Sequence, residues 1–156
     1  MTFPAPTATS TSSVLAVKKA LFDLFTADAT LGAATPPVGV YWAAPNYDHD
    51  PHELLYFTTA TSAVDWATMG RGPLNRDEHL TLAIHLQVVR EGVDAYACEQ
   101  RWWALQLAIE TVLLVQPSPA NDSWGRLAQI EQQTDTFSEG VQTVGTLTVD
   151  VYNRLR

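Results

Sequence analysis

The stretch "GRGPLNRDEHLTLAIHLQVV", residues 70 to 89, decides the fold. It opens on Gly70, Gly72 and Pro73, passes through a charged cluster and then alternates strictly. Leu80, Leu82, Ile84, Leu86 and Val88 fall on one side of an extended chain, and His79, Thr81, Ala83, His85 and Gln87 fall on the other. An apolar face opposite a polar one predicts a sheet covered by helices on one side only. The alternating run spans over roughly 30 Å at the rise of a strand, which is long for a domain of this size. Three of its groups handle protons or metals, namely Glu78, His79 and His85. They do not converge: the two histidines share a face but lie about 20 Å apart along the strand, and Glu78 belongs to the opposite face.

On the N-terminal side, "TSAVDWATMGRGPLNRDE" reads as a long connection carrying two conspicuous apolar residues, Trp66 and Met69. They either fold back on the core or stand out as anchors for a partner, since Trp and Met are enriched at interface centres. Before it come two strand candidates, "VGVYW" at 38 to 42 and "LLYFTTA" at 54 to 60, joined by "AAPNYDHDPHE". That joining segment holds Asp48, His49, Asp50, His52 and Glu53, ligand types suited to zinc or iron. A metal site needs its ligands fixed on rigid elements with supporting hydrogen bonds. Here Pro45 and Pro51 mark a loop and no His-Glu-x-x-His helix is present, so the stretch reads as a solvated polar loop with no metal and no cofactor.

Farther upstream, Val14, Val17, Leu21, Leu24 and Phe25 recur at helical spacing, and Ser12 or Ser13 is placed to cap the first turn. The helix must stop before "LGAATPP", where Gly32 and the Pro36-Pro37 pair cannot sustain it. Residues 1 to 12, rich in Pro, Thr, Ala and Ser, form a flexible arm because they carry too little bulky apolar surface to offset ordering. Such an arm is either a plain disordered end or a segment that orders against a neighbouring subunit.

Downstream of the long strand, Asp94 caps a second helix that runs to about Val115. Its stripe is Cys98, Trp102, Leu105, Ile109, Val112 and Leu113, with Trp103, Leu107 and Leu114 widening it. Cys98, with no Lys or His nearby in sequence to lower its pKa, reads as a small buried hydrophobe and not a nucleophile. Two closing strands follow, around 125 to 137 and at 144 to 155, with Gly140 at a turn and Gly145 at a bulge or strand entry. The expectation is an α+β domain over residues 13 to 156, a mainly antiparallel or mixed sheet of about five strands with two amphipathic helices on one face.

Composition narrows function further. The 156 residues are 46% hydrophobic and 17% charged, as in a globular protein, and no apolar run approaches the ~20 residues that span a bilayer. The start has neither the charge nor the apolar centre of a signal peptide, and one cysteine cannot form an internal disulfide, so a reducing cytoplasm fits best. Net charge is −8, with no basic stripe to grip phosphates. An acidic surface instead suits a passage through which DNA slides without sticking. The sequence offers no phosphate-binding glycine loop, no G-x-S-x-G elbow and no zinc-finger pairing, and a non-enzymatic role is expected.

In order along the chain, "VLAVKKALFDLFTADATLG", "VGVYWAAP", "GRGPLNRDEHLTLAIHLQVV", "GVDAYACEQRWWALQLAIETVL" and "GTLTVDVYNRLR" resemble the tail terminator proteins of long-tailed siphophages, particularly those infecting actinobacteria. The likeness lies in layout and covers nearly everything after the arm; the "DHDPHE" loop and the Pro- and Thr-rich arm depart from it. The resemblance implies a virion structural protein of the tail and neck, assembled in the host cytoplasm. It implies a self-associating ring, normally of six copies, that caps the head-proximal end of the tail tube, stops its polymerisation and joins tail to head. Partners would be the major tail tube protein and a head-completion or connector protein, with genomic DNA passing through the lumen unbound and no membrane involved. Within that reading Trp66, Met69, Arg71, Arg76, Asp77 and Glu78 are candidates for subunit or tail-tube contacts. Two alternatives stand beside it: another neck component, such as a head-completion protein, and a small metal-dependent hydrolase using His49, His52 and nearby acids.

Overall fold

A computed structural model of the chain describes residues 13–46, 52–66, 76–115 and 123–155. The elements follow the expected order: α1 (Val14–Ala27), β1 (Gly39–Tyr41), β2 (Glu53–Trp66), β3 (Arg76–Arg90), α2 (Ala95–Val115), β4 (Ser123–Phe137) and β5 (Gly140–Leu155). The five strands make one mixed sheet in the order β1-β2-β3-β5-β4. Short β1 runs parallel to β2, and every other pairing is antiparallel. The fold is α+β, as the patterning predicts.

The long alternating strand lies at the centre of the sheet, between β2 and β5. Leu80, Leu82, Ile84, Leu86 and Val88 are all fully buried, as are Leu147, Val149 and Val151 on β5. Over them lie Val17, Leu21 and Phe25 of α1 and Cys98, Trp102, Leu105 and Ile109 of α2, forming one apolar cluster. With fifteen residues, β3 reaches roughly 50 Å, so one strand runs under both helices.

Both helix starts are tied down by side chains, in different ways. Asp94 caps α2 as expected, its Oδ1 accepting from Ala97 N–H at 2.7 Å. Ser13 occupies the N-cap position of α1 without making a side-chain cap bond; its hydroxyl and its backbone N–H both donate to Glu78 on β3 instead.

Three local expectations are corrected. Residues 61 to 66 and 76 to 78, read as parts of a connection, are strand: β2 continues through Trp66, and its register with β3 runs to Trp66 opposite Arg76. Thr, Val and Trp favour extended chain, and pairing along β3 extends the hairpin past the apolar core. Gly145 marks no bulge, since its register with both neighbours is regular. A Cβ there would lie 2.5 Å from Cζ2 of Trp102 and 2.2 Å from the carbonyl oxygen of Glu131, so the missing side chain is what lets the indole settle on the sheet. Trp102 Nε1 then donates to Leu86 O at 2.9 Å. The register shifts fall elsewhere, between Phe57 and Ala60 on β2 and between Leu127 and Gln129 on β4. Lastly, Trp103, Leu107 and Leu114 do not widen the buried stripe of α2; all three are exposed. Gly140 closes the β4–β5 hairpin as anticipated.

Candidate interaction surfaces

Among the described residues, both helices lie on one face of the sheet and none covers the other. Cross-strand register places Tyr56, His85 and Thr146 in one row, Thr81, Asp150 and Arg126 in a second, and His79 and Tyr152 in a third. The rings pair across strands: Tyr56 stacks on His85 with centroids 4.6 Å apart, and His79 lies flat on Tyr152 at 4.4 Å. Asp150 stands 3.3 Å from His79 Nε2 and accepts from Thr81 Oγ1 at 3.4 Å, and the Arg126 guanidinium lies 5.9 Å from the Tyr152 ring. Burial lowers the pKa of His85, only partly opposed by its hydrogen bond with Gln87, so this imidazole is neutral at pH 7. By register, Asp77, Glu131, Asp135 and Asp150 outnumber Arg126 among the described side chains of this face. It is a wetted, negatively charged surface whose aromatic rings are held by their neighbours.

The sheet also ends on two unequal margins. Among the described residues the order leaves β4 outermost, paired with β5 alone, and β1 covers β2 only from Leu54 to Tyr56. Beyond that, Thr58 to Val64 of β2 are exposed, and this "TTATSAV" margin has none of the lysines, prolines or inward charges that keep strand edges apart.

The six contact candidates separate in space. Trp66 ends β2 and Arg76 begins β3 opposite it, so the hairpin brings together two residues ten apart in sequence. Asp77 is exposed and stands opposite Asp65 and Arg154. Met69 and Arg71 lie outside the described residues. Glu78 continues the register of the leucines and is only 1% exposed; it accepts from Ser13 N–H at 2.9 Å, from the Ser13 hydroxyl and from Ser62 Oγ at 2.6 Å. Its carboxylate is occupied inside the subunit, tying the start of α1 to the β2–β3 hairpin. Ser62 and Ser13 carry no sequence signal for this role. The charge of Glu78 within an otherwise apolar alternation is the feature that announces a buried polar contact.

A second carboxylate is clamped in the same manner. Glu53, at the start of β2, accepts from Arg101 Nε and from an Nη of the same guanidinium, both at 2.9 Å, and pairs with Arg90. Burial alone would raise its pKa, but the Arg101 hydrogen bonds and the two positive charges more than reverse this and lower it. Glu53 is thus engaged by arginines and not presented to a metal. Asp48, His49 and Asp50 lie outside the described residues, and among the described residues no group of three or more His, Cys, Asp or Glu is placed to hold a metal ion. Cys98 is buried, its thiol directed at the carbonyls of Val88 and Val141 and accepting from Thr143. No described helix is long and apolar enough to cross a membrane.

Compared with known protein families and with curated proteins, the chain finds no match.

Proposed function

We propose that this protein is a structural subunit of a phage neck, a tail-terminator-like ring; the observation that supports it is a tall sheet armoured on one face, acidic on the other and, among the described residues, left without strand partners along β4 and most of β2. Three antiparallel steps separate β2 from β4, so those two margins run in opposite directions. Head-to-tail copies can therefore join β4 to the neighbour's β2 as an antiparallel pair. Different patches meeting by rotation give a closed ring, and pairing through strand edges supplies main-chain hydrogen bonds. The acidic face then suits a lumen, since it repels DNA phosphates and offers no basic stripe to bind them. Tube growth stops when a ring shares the lower contact surface of its predecessors and lacks the upper one. In this reading Trp66, Arg76 and Asp77, at one end of the long hairpin, contact the tube.

The test is native mass with and without assembled tail tubes. A hexamer, free or formed only on tube ends, is the expected result. A monomer that ignores tubes overturns the ring. Folded Trp66→Ala and Arg71→Glu variants that still cap tails at wild-type length would remove those two residues from the contact.

A further inference from the structure

α2 carries a second apolar stripe on the side away from the sheet. Tyr96, Trp103, Leu107 and Leu114 are 73, 39, 60 and 73% exposed. At about 100° per residue they point within roughly 40° of one another, so they form one line about 27 Å long. With Gln100 and Glu110 the line reads 96, 100, 103, 107, 110, 114, alternating steps of four and three. That is the spacing of a helix–helix seam in which each side chain enters a gap on the facing helix. A helix apolar on both sides is normally covered on both sides.

The seam is its own complement. Residues 96 and 114, 100 and 110, and 103 and 107 are each symmetric about position 105, so an antiparallel copy of the helix sets Tyr96 against Leu114, Gln100 against Glu110 and Trp103 against Leu107. Large rings thus meet aliphatic side chains, and the two polar layers, related by the two-fold axis, each pair an amide donor with a carboxylate acceptor. Glu110 takes a hydrogen bond from Gln106 on Oε2, and a carboxylate has further acceptor capacity for Gln100 of a second copy. Ala97, Ala104 and Thr111, all exposed beside the seam, are small and hold no partner at a distance. Trp103 is already oriented by an edge contact with Trp102, centroids 5.0 Å apart.

We infer that the outer face of α2 is a two-fold contact with a second copy of this chain, formed by the antiparallel pairing of Tyr96, Gln100, Trp103, Leu107, Glu110 and Leu114. A two-fold contact closes at two copies. It is therefore separate from any head-to-tail ring made through the sheet margins. One helix pair buries on the order of 1,000 Å² in total, the low end for a specific interface, and a dissociation constant in roughly the micromolar range is expected.

Sedimentation equilibrium across that concentration range tests it. The wild type is expected to associate through this seam, as a free dimer or as paired rings where the ring also forms, Leu107→Met to keep that association, and Leu107→Glu to weaken it by at least about 100-fold while unfolding like wild type. The double variant Trp103→Cys, Leu107→Cys is expected to form an interchain disulfide on mild oxidation. A wild type that stays monomeric, or an oligomer whose mass and stability ignore Leu107→Glu, overturns the contact. Tail capping by Leu107→Glu reports on the ring independently, because capping does not use this seam.

Discussion

The two faces of β3 belong to one strand and obey different rules. Beneath the helices, five aliphatic side chains are excluded from water completely, and their shape is fixed by what packs on them. On the open side, His79, Thr81, Ala83, His85 and Gln87 are half-buried, covered among the described residues by neighbours within the sheet. A single strand thus divides labour by parity: even positions hold the molecule together, and odd positions are free to serve whatever the sheet faces. Glu78 is the exception, an acidic residue at an even position that the fold accommodates by supplying serine donors.

The contrast is broken most sharply by adjacent truncations. Leu82→Ala is expected to cost about 2–5 kcal/mol, the loss of a buried side chain plus the cavity left behind. Thr81→Ala, one residue away, is expected to cost no more than about 1 kcal/mol, the size of a strand-propensity change together with a long hydrogen bond. Urea unfolding of both variants measures the difference; equal losses would mean the open face is covered after all.

Next in size is the exception itself. Glu78→Ala leaves the donors of Ser13 and Ser62 without their acceptor, and a cost of about 1–3 kcal/mol follows. Hydrogen exchange should rise first at the start of α1, since that is what the carboxylate holds. Uniform loosening across the sheet would instead assign Glu78 to the general core.

Glu53 sharpens the same point through pH. Its carboxyl titrates below its ordinary 4.5 in the folded protein, so its contribution is complete above that value and is lost as pH falls through the folded pKa. Glu53→Gln should therefore melt lower than wild type near pH 7, and the gap should narrow as pH falls below 4.5 and close once it has passed through the lowered folded pKa. A gap that persists unchanged in acid would show that the arginine clamp works by packing and not by charge.

The smallest stability effect and the clearest functional one are expected on the open face. Thr146→Lys combined with Thr148→Lys should leave unfolding within about 0.5 kcal/mol of wild type. The paired lysines should nevertheless confer retention on a DNA column at low salt that fades as salt rises. If the variant is not retained, the charge of this face has no bearing on DNA passage.

Much of this was legible in the sequence, and the reason is periodicity. Alternation of period two along residues 79 to 89 and recurrence at three and four residues in both helices each report a face, because burial of that face is what stabilises the element. Element order, the α+β class, the buried Cys98 and the Asp94 cap all follow from such local rules. What periodicity reports less well is extent and partnership. The strand character of residues 61 to 66 depends on β3 lying alongside, and Gly145 resembles a strand irregularity until Trp102 is seen resting on it. The arginines that occupy Glu53 come from positions 37 and 48 residues away in the chain. Above all, an apolar residue on a helix is equally apolar on either side of it. That Trp102 faces the sheet and Trp103 faces water was settled only by how α2 lies across β3, β4 and β5. Local chemistry chose the elements, and the packing of one element on another chose which of their faces would be left to meet something else.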